Sequence, residues 1–196
     1  AHIRTCLEKE NVEYRVDMHL RKNKSKGIAI DKQKIKKAAE LIGLLNVVFF
    51  SPEDLSIIKS GPSERRRFAD MELCQLDNFY LYNLNHYNRI INQRNKLLKD
   101  LYFHPELKET LDIWDMQLVS FGSKIIERRE AFAGQLCEII KDIHSRLSGG
   151  KEELIIKYEP DVSIEDFERR MKENQGKDIH SKVPGTGPHR DDFSFI

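Results

Sequence analysis

Across residues 12–21 apolar and polar side chains alternate, with Tyr14, Val16, Met18 and Leu20 set against Arg15, Asp17, His19 and Arg21. That period of two marks a strand with one buried face. The polar break KNKSKG ahead of Ile28-Ala29-Ile30 has the composition of a hairpin tip, so residues 1–30 are expected to form a small antiparallel meander. Residues 31–42 follow as a Lys-rich amphipathic helix, opened by Asp31 as its cap and stopped at Gly43. Asn46-Val47-Val48-Phe49-Phe50 is a short continuous apolar run, the pattern of a buried strand. It leads into Ser51-Pro52-Glu53-Asp54-Leu55, where a cap, a proline at the first helical position and two acids near the positive end of the helix dipole signal a helix start.

Gly61-Pro62-Ser63 opens a helical pattern with no further glycine or proline until Pro105, marked by Phe68, Met71, Leu76, Phe79, Tyr87, Ile90, Leu97 and Leu101. After Pro105 the pattern restarts more cleanly, from Leu107, Leu111 and Trp114 through Ile125 and Phe132 to Leu147, and Gly149-Gly150 ends it. Two helices of about 40 residues would each extend about 60 Å, and they bury their stripes by lying antiparallel as an arm. Arg94 and Arg128 or Arg129 interrupt the stripes, as register devices or edge positions. Residues 153–158 then read as a strand, 164–174 as a charged helix opened by Ser163, and the chain from Phe193 as a further strand. The expected fold is α+β and mostly helical. Residues 1–60 form the first part of a head, residues 61–150 an inserted helical or coiled-coil arm, and residues 151–196 the end of the helical lobe and the return to the head.

Composition narrows the class. The 196 residues are 39% hydrophobic and 33% charged, with Lys+Arg 33 against Asp+Glu 32, so the chain is neither disordered nor a uniformly basic coat, and any charge chemistry must be local. Cys6, Cys74 and Cys137 lie too far apart for a metal knuckle and are odd in number, which fits a reducing compartment; no metal site is expected. No apolar run approaches the roughly 18 residues needed to span a bilayer and no signal peptide opens the chain, so a soluble cytoplasmic protein is expected. The start on Ala1 directly before strand-like sequence, and the end inside an alternating DFSFI, are expected to be cuts in a longer protein.

Three stretches carry candidate chemistry. His189-Arg190-Asp191 reads like the catalytic triplet of a protein kinase, but the position five residues after the Asp, where a metal-holding Asn is required, is Ile196. A hydrolase metal site on His189, Asp191 and Asp192 lacks a second ligand cluster. The default reading is a polar corner after a Gly-Pro turn, with Arg190 paired to Asp191 or Asp192. In residues 59–70, KSGPSERRRFAD, the arginines at 65, 66 and 67 spread over about 200° of a helix, so one of them is expected to face the body. The run of eight basic residues from Arg21 to position 37 suits contact with a phosphate backbone. The aromatic group Phe79, Tyr80, Tyr82 and Tyr87 either packs the core or stacks bases.

VVFFSPEDLSIIKSGPSERRRFAD, YNRIINQRNKLLK, LDIWDMQLVSFGSKIIERR and GPHRDDFSF, in that order, resemble the RecF family of bacterial DNA replication and repair ATPases, and the resemblance runs over essentially the whole chain. It implies part of an ABC/SMC-like α/β ATPase head with an inserted antiparallel long-helix arm. It also implies ATP and Mg as cofactors of the full-length protein, an ATP-dependent homodimer, DNA with gaps or single-strand–double-strand junctions as substrate, and RecO- and RecR-type partners. The family's phosphate loop, signature and Walker B segments are not in this chain, whose Gly-Lys pairs, Gly150-Lys151 and Gly176-Lys177, are followed by Glu and Asp rather than Ser or Thr. No catalytic residue is therefore assigned and no ATP hydrolysis by this chain alone is expected. By resemblance, Glu53, Asp54, Arg65, Arg66, Arg67, His189, Arg190 and Asp191 are candidates for coupling nucleotide state to the arm, and Lys22, Lys24, Lys34, Lys36 and Lys37 for DNA contact. The competing reading is a structural coiled-coil module that binds a protein partner through its arm.

Overall fold

The computed structural model describes residues 1–36 and 38–196, the side chains at 38 and 39 excepted. The chain divides into two compact units, Ala1–Val48 and Phe49–Ile196. In the first, β1 (His2–Lys9), β2 (Val12–His19), β3 (Gly27–Ile30) and β4 (Gln33–Lys34) form an antiparallel sheet in sequential order. The expected meander is present. Its first turn, Glu10-Asn11, holds both residues at positive φ (54° and 62°), the mirror-image turn whose twist matches that of the flanking strands.

The helix expected over residues 31–42 is replaced by a second turn of this kind. Asp31 and Lys32 sit at φ 48° and 69°, and Gln33 and Lys34 pair with Ile30 and Ala29. Asp31 reads as a helix cap in the sequence because Asx side chains serve turns and caps alike. Here its carboxylate accepts the Arg15 backbone N–H at 2.7 Å while its own N–H donates to the Arg15 carbonyl at 2.8 Å, so the strand partner takes the role a helix would have had. A short 3-10 turn at Ala38–Leu41 is the helical remnant. Residues 46–50 form no strand, and Val48 is 91% exposed. Apolar composition suits a buried strand, but a strand also needs a neighbour to take its backbone groups.

In the second unit, Pro52–Leu55 makes a 3-10 turn that leads into α1 (Ser56–Lys59), as the SPED start signal predicts. Then come α2 (Pro62–Leu76), α3 (Asn78–Asp100), a 3-10 turn at Pro105–Thr110, and α4 (Leu111–Ser148). β5 (Ile156–Glu159), α5 (Phe167–Ser181), a 3-10 turn at Pro188–Arg190 and β6 (Asp192–Phe195) complete it, with β5 and β6 antiparallel. The pattern from Pro62 to Pro105 is thus two helices rather than one. Asp77 takes extended backbone angles and its carboxylate accepts the N–H groups of Phe79 (2.8 Å) and Tyr80 (3.2 Å), capping α3. At the far end α4 closes on Gly149 in the left-handed region, as expected.

The helices do not stand alone. Tyr80, Tyr87 and Ile90 of α3 and Leu118, Ile125 and Ile126 of α4 share one buried cluster with Tyr158 of β5, Phe167 and Met171 of α5, and Phe193 of β6. Each such side chain contributes about 1.5–3 kcal/mol when fully buried. Close approach depends on two glycines. A Cβ on Gly122 would lie 2.6 Å from the Phe167 ring, and one on Gly187, at φ 126°, would lie 2.6 Å from the Tyr87 hydroxyl. The loop before β6 is glycine-rich because it is pressed against this core.

Gly122→Ala is expected to lower unfolding stability by about 1–3 kcal/mol through overpacking. Gly134→Ala in the same helix, with nothing within 4 Å of its missing Cβ, should gain up to about 1 kcal/mol from helix propensity. Denaturant unfolding of the two variants checks both the sign and the contrast.

Candidate nucleic-acid interface and arginine junction

Residues 1–48 hold 11 Lys and Arg against 6 Asp and Glu, in a chain whose net charge is +1. The sheet register sorts them. His2 faces His19, Arg4 faces Asp17, and Asp17 faces Ala29, which in turn pairs with Lys34. Cross-strand partners share a face, so one face carries this row together with Arg15, and the alternate positions Val16, Met18, Ile28 and Ile30 carry the apolar face. Asp17 is the buried acid of the cationic face. It accepts from Arg4 Nε and Arg15 Nε, each at 2.7 Å, and contacts His2 Nε2 at 3.0 Å. Arg4 first and Arg15 next hold its carboxyl far below the usual range. The His2 and His19 rings stack beside it, 4.3 Å apart and nearly parallel. One carboxylate thus organises three cationic or protonatable side chains.

Beyond His19 a cleft of about 840 Å³ opens between the β2–β3 loop and β4, lined by the cations Arg21, Lys24, Lys26, Lys34 and Lys36 with no acid among its residues. Of the sequence candidates for DNA contact, Lys24, Lys34 and Lys36 meet in this cleft; Lys22 is exposed outside its lining, and Lys37 lies outside the described residues. Sequence reasoning did not single out Arg4, Arg15 or His2, and it counted Lys26 only within the basic run from Arg21 to position 37. The alternation that would have found the first three was visible, but only strand pairing puts β1 and β2 residues on a common face.

The second candidate set forms a junction in the other unit. Arg129 of α4, 2% exposed, donates through Nη1 to the Pro188 carbonyl (2.6 Å) and Asp191 (2.9 Å), through Nη2 to Asp70 (2.8 Å), and through Nε to the Tyr80 hydroxyl (3.0 Å). The hydroxyls of Tyr80 and Tyr158 donate in turn to Asp70 and Asp191. Burial alone would lower the Arg129 pKa, but Tyr80, Asp70, Tyr158 and Asp191 outweigh it and hold the guanidinium charged. Burial drives both phenols upward, so they remain donors. Arg65 grips Asp192 with two bonds, Nε at 2.7 Å and Nη2 at 2.9 Å, and Arg66 donates to the Asp191 carbonyl at 2.5 Å. The sequence placed one arginine of the three against the body; the structure places Arg65 and Arg66 there and leaves Arg67 exposed, 3.6 Å from Glu64.

The default pairing of Arg190 is also corrected. Asp191 belongs to Arg129 and Asp192 to Arg65, while Arg190 is exposed with no side-chain partner among the described residues. His189 is not a base awaiting substrate. Its Nε2 faces the Pro184 carbonyl at 3.1 Å and must carry the proton, so Nδ1 accepts from the Tyr87 hydroxyl at 2.7 Å. Burial pushes its pKa down and keeps it neutral. Glu53 is exposed, and Asp54 accepts the Ser51 backbone N–H at 2.6 Å, a helix-start role. Gly176-Lys177 lies inside α5 and Gly150-Lys151 follows the end of α4, so neither opens a helix onto a phosphate and neither fits a nucleotide cradle. Arg94, read as an interruption of the stripe, is wholly buried between Asp115 (2.5 Å) and Asp178 (2.6 Å); burial raises the Asp115 pKa despite this partner.

No family model matches the chain. Over its whole length it is 56% identical to the DNA replication and repair protein RecF of Agathobacter rectalis, 58% to that of Lachnospira eligens and 42% to that of Clostridium perfringens, covering 54%, 54% and 55% of those proteins. The chain therefore spans about half the length of the curated relatives it matches. Among solved structures it superposes on the recombination mediator protein RecF-ATPrS in the RecFOR pathway with a TM-score of 0.89 at 27% identity, covering all of this chain and 55% of that one. RecF-ATP in the same pathway gives 0.84 at 28% identity, over 94% of this chain and 52% of that one.

Replacing Arg129 by Met leaves the buried Asp191 and the half-buried Asp70 without their counter-ion and should cost about 3–5 kcal/mol in denaturant unfolding; Arg67→Ala should stay within about 0.5 kcal/mol. For His189 the unfolded chain takes up a proton below about pH 6.5 while the folded chain resists it. Stability is complete above that pH and falls as the pH drops toward 5. In His189→Gln the slope of melting temperature against pH over that window should be shallower than in the parent; an equal slope would count against the buried neutral imidazole.

Proposed function

This chain belongs to the RecF family, and we propose that it supplies a DNA-contacting part of a RecF-type repair protein, with the cationic sheet face of residues 1–48 as the contact. The observation that carries the reading is the acid-free cleft that gathers Lys24, Lys34 and Lys36 beside the Arg4–Asp17–Arg15 cluster. Phosphate backbones attract such surfaces, and counterion release makes the binding salt-dependent. In the full-length protein the substrate is DNA with gaps or single-strand–double-strand junctions, bound with ATP and Mg by a homodimer working with RecO- and RecR-type proteins. Relatives named for DNA replication and repair, and likeness to RecF solved as ATP complexes in the RecFOR pathway, support it. They do not favour the alternative of a coiled-coil module for a protein partner.

Residues 1–60 and 151–196 then serve the ATPase head and residues 61–150 its inserted helical lobe. The nucleotide is held by segments other than the two Gly-Lys pairs of this chain. Glu53, Asp54, Arg65 to Arg67 and the His189-Arg190-Asp191 corner couple nucleotide state to the helices. Arg65, Arg66 and Asp191 do so as fixed members of the junction, and the exposed Arg67 and Arg190 as the members able to reach another surface. No helix among the described residues is long and apolar enough to cross a membrane, in keeping with work on DNA in the cytoplasm.

Anisotropy of a labelled gapped duplex between 50 and 200 mM salt tests the reading. Reversing Lys24, Lys34 and Lys36 to Glu should weaken binding at least about tenfold and reduce the slope of log K against log salt by about one for each lysine–phosphate pair removed. Lys22→Glu, outside the cleft, should do less. Salt-independent binding, or a triple variant that binds like the parent, would sink the proposal.

A further inference from the structure

The aromatic group in α3 divides in the fold. Tyr80 and Tyr87 enter the core, while Tyr82 stays 55% exposed and packs on a half-buried pair from the helical hairpin, His86 and Phe121. The His86 ring stacks on Phe121 at 5.1 Å and lies 4.3 Å from Tyr82 at a tilt of 41°, while Tyr82 and Phe121 are 6.3 Å apart, so the three rings form a triangle; Lys124 Nζ sits 5.8 Å from the Phe121 ring centre. The cluster therefore has a cation beside Phe121 and one exposed ring, Tyr82. Residues 82, 86, 89, 93 and 96 of α3 keep three- and four-residue spacing and run along one stripe. About 16 Å along it, at 1.5 Å per residue, Gln93 and Lys96 line a groove of about 520 Å³ with Asp100 and Trp114.

The charge of this surface is as distinctive as its rings. In a chain with Asp+Glu 32, residues 78–99 of α3 and 116–126 of α4 contain none. Arg89, Lys96 and Lys124 are exposed there, accompanied by the exposed amides of Asn85, Asn88 and Asn92. Ahead of Asp100 the stripe carries no acid of its own helix, and it offers a ring for stacking, amides for base edges and cations for phosphates. Duplex DNA keeps its bases stacked internally; a single strand presents them.

We infer that the α3–α4 hairpin carries a binding site for single-stranded nucleic acid, in which an unpaired base stacks on the exposed Tyr82 ring of the Tyr82–His86–Phe121 cluster and the backbone runs past Arg89 and Lys96. The site is separate from the sheet cleft and differs from it in kind, since it discriminates by bases rather than by backbone charge alone.

The test uses the 196-residue chain with a fluorescein-labelled dT20 and a blunt duplex of equal length, at fixed salt. Tyr82→Ala is expected to lower dT20 affinity about tenfold, the loss of one stacked base, with duplex affinity unchanged; Tyr82→Trp should restore it. Tyr102→Ala, an exposed ring 75% accessible and outside this cluster, should bind both probes as the parent does. If Tyr82→Ala binds dT20 as tightly as the parent while the Lys24, Lys34 and Lys36 reversal loses both probes, single strands are held by the sheet alone and the inference is wrong. If the parent binds neither probe, the inference and the sheet proposal both fail. A parent that binds dT20 through Tyr82 while its duplex affinity ignores the lysine reversal leaves the inference standing and removes the sheet proposal.

Discussion

One buried guanidinium organises residues 49–196. Arg129 sits on the long helix α4, yet its partners come from α2 (Asp70), α3 (Tyr80) and the turn before β6 (Pro188 and Asp191). A buried charge is tolerated only where its donors are satisfied, so these elements must arrive in one arrangement or leave it unpaired. Asp191 extends the constraint, because the oxygen that meets Arg129 also takes the Tyr158 hydroxyl of β5 and its other oxygen accepts the Asp161 N–H. Hydrophobic contacts in the same cluster supply most of the favourable free energy. They are less directional, and Arg129 supplies the geometry they lack. The kinase-like triplet is explained by the same constraint: its Asp is the counter-ion of Arg129, its His is a spacer bonded on both ring nitrogens, and its Arg is left outside.

Whatever depended on neighbours in sequence could be read from the chain alone. The alternation of Val16 and Met18 against Arg15 and Asp17 announced the sheet, SPED announced a helix start, and Gly149 announced a helix end. What depended on distant partners could not. Arg94 and Arg129 looked like gaps in an apolar stripe because each is neutralised in part by an acid, Asp178 or Asp191, more than 60 residues away in the chain. Asp31 was ambiguous for a different reason: the carboxylate that caps a helix also closes a turn, and the choice was made by Arg15 on a neighbouring strand. Asp77 carried the opposite lesson. Followed by Asn78, it was a cap signal in plain view, hidden by the regular apolar spacing on either side.

The charge pattern shows a similar division. A net charge of +1 suggests an unremarkable surface, but it averages an excess of cations in residues 1–48 with an excess of acids in the remainder. Within the acid-rich remainder, the helical hairpin has its own acid-free stretch, so neither global charge nor charge per unit identifies it. Only the combination of register on the sheet, periodicity on the helices and ring geometry separates surfaces where cations are neutralised, as Arg65 is by Asp192, from surfaces where they face solvent.

Those solvent-facing surfaces differ physically in a way that bears on substrate choice. Affinity built on phosphate contacts falls steeply with salt and is nearly indifferent to whether the bases are paired. Affinity built on ring stacking is less sensitive to salt, and it vanishes when every base is already stacked within a duplex. A protein that carries both gains most on DNA that offers a duplex and an unpaired stretch together, because each surface then meets the form it binds. Linking two modest contacts through one ligand multiplies their effect only when the ligand spans both.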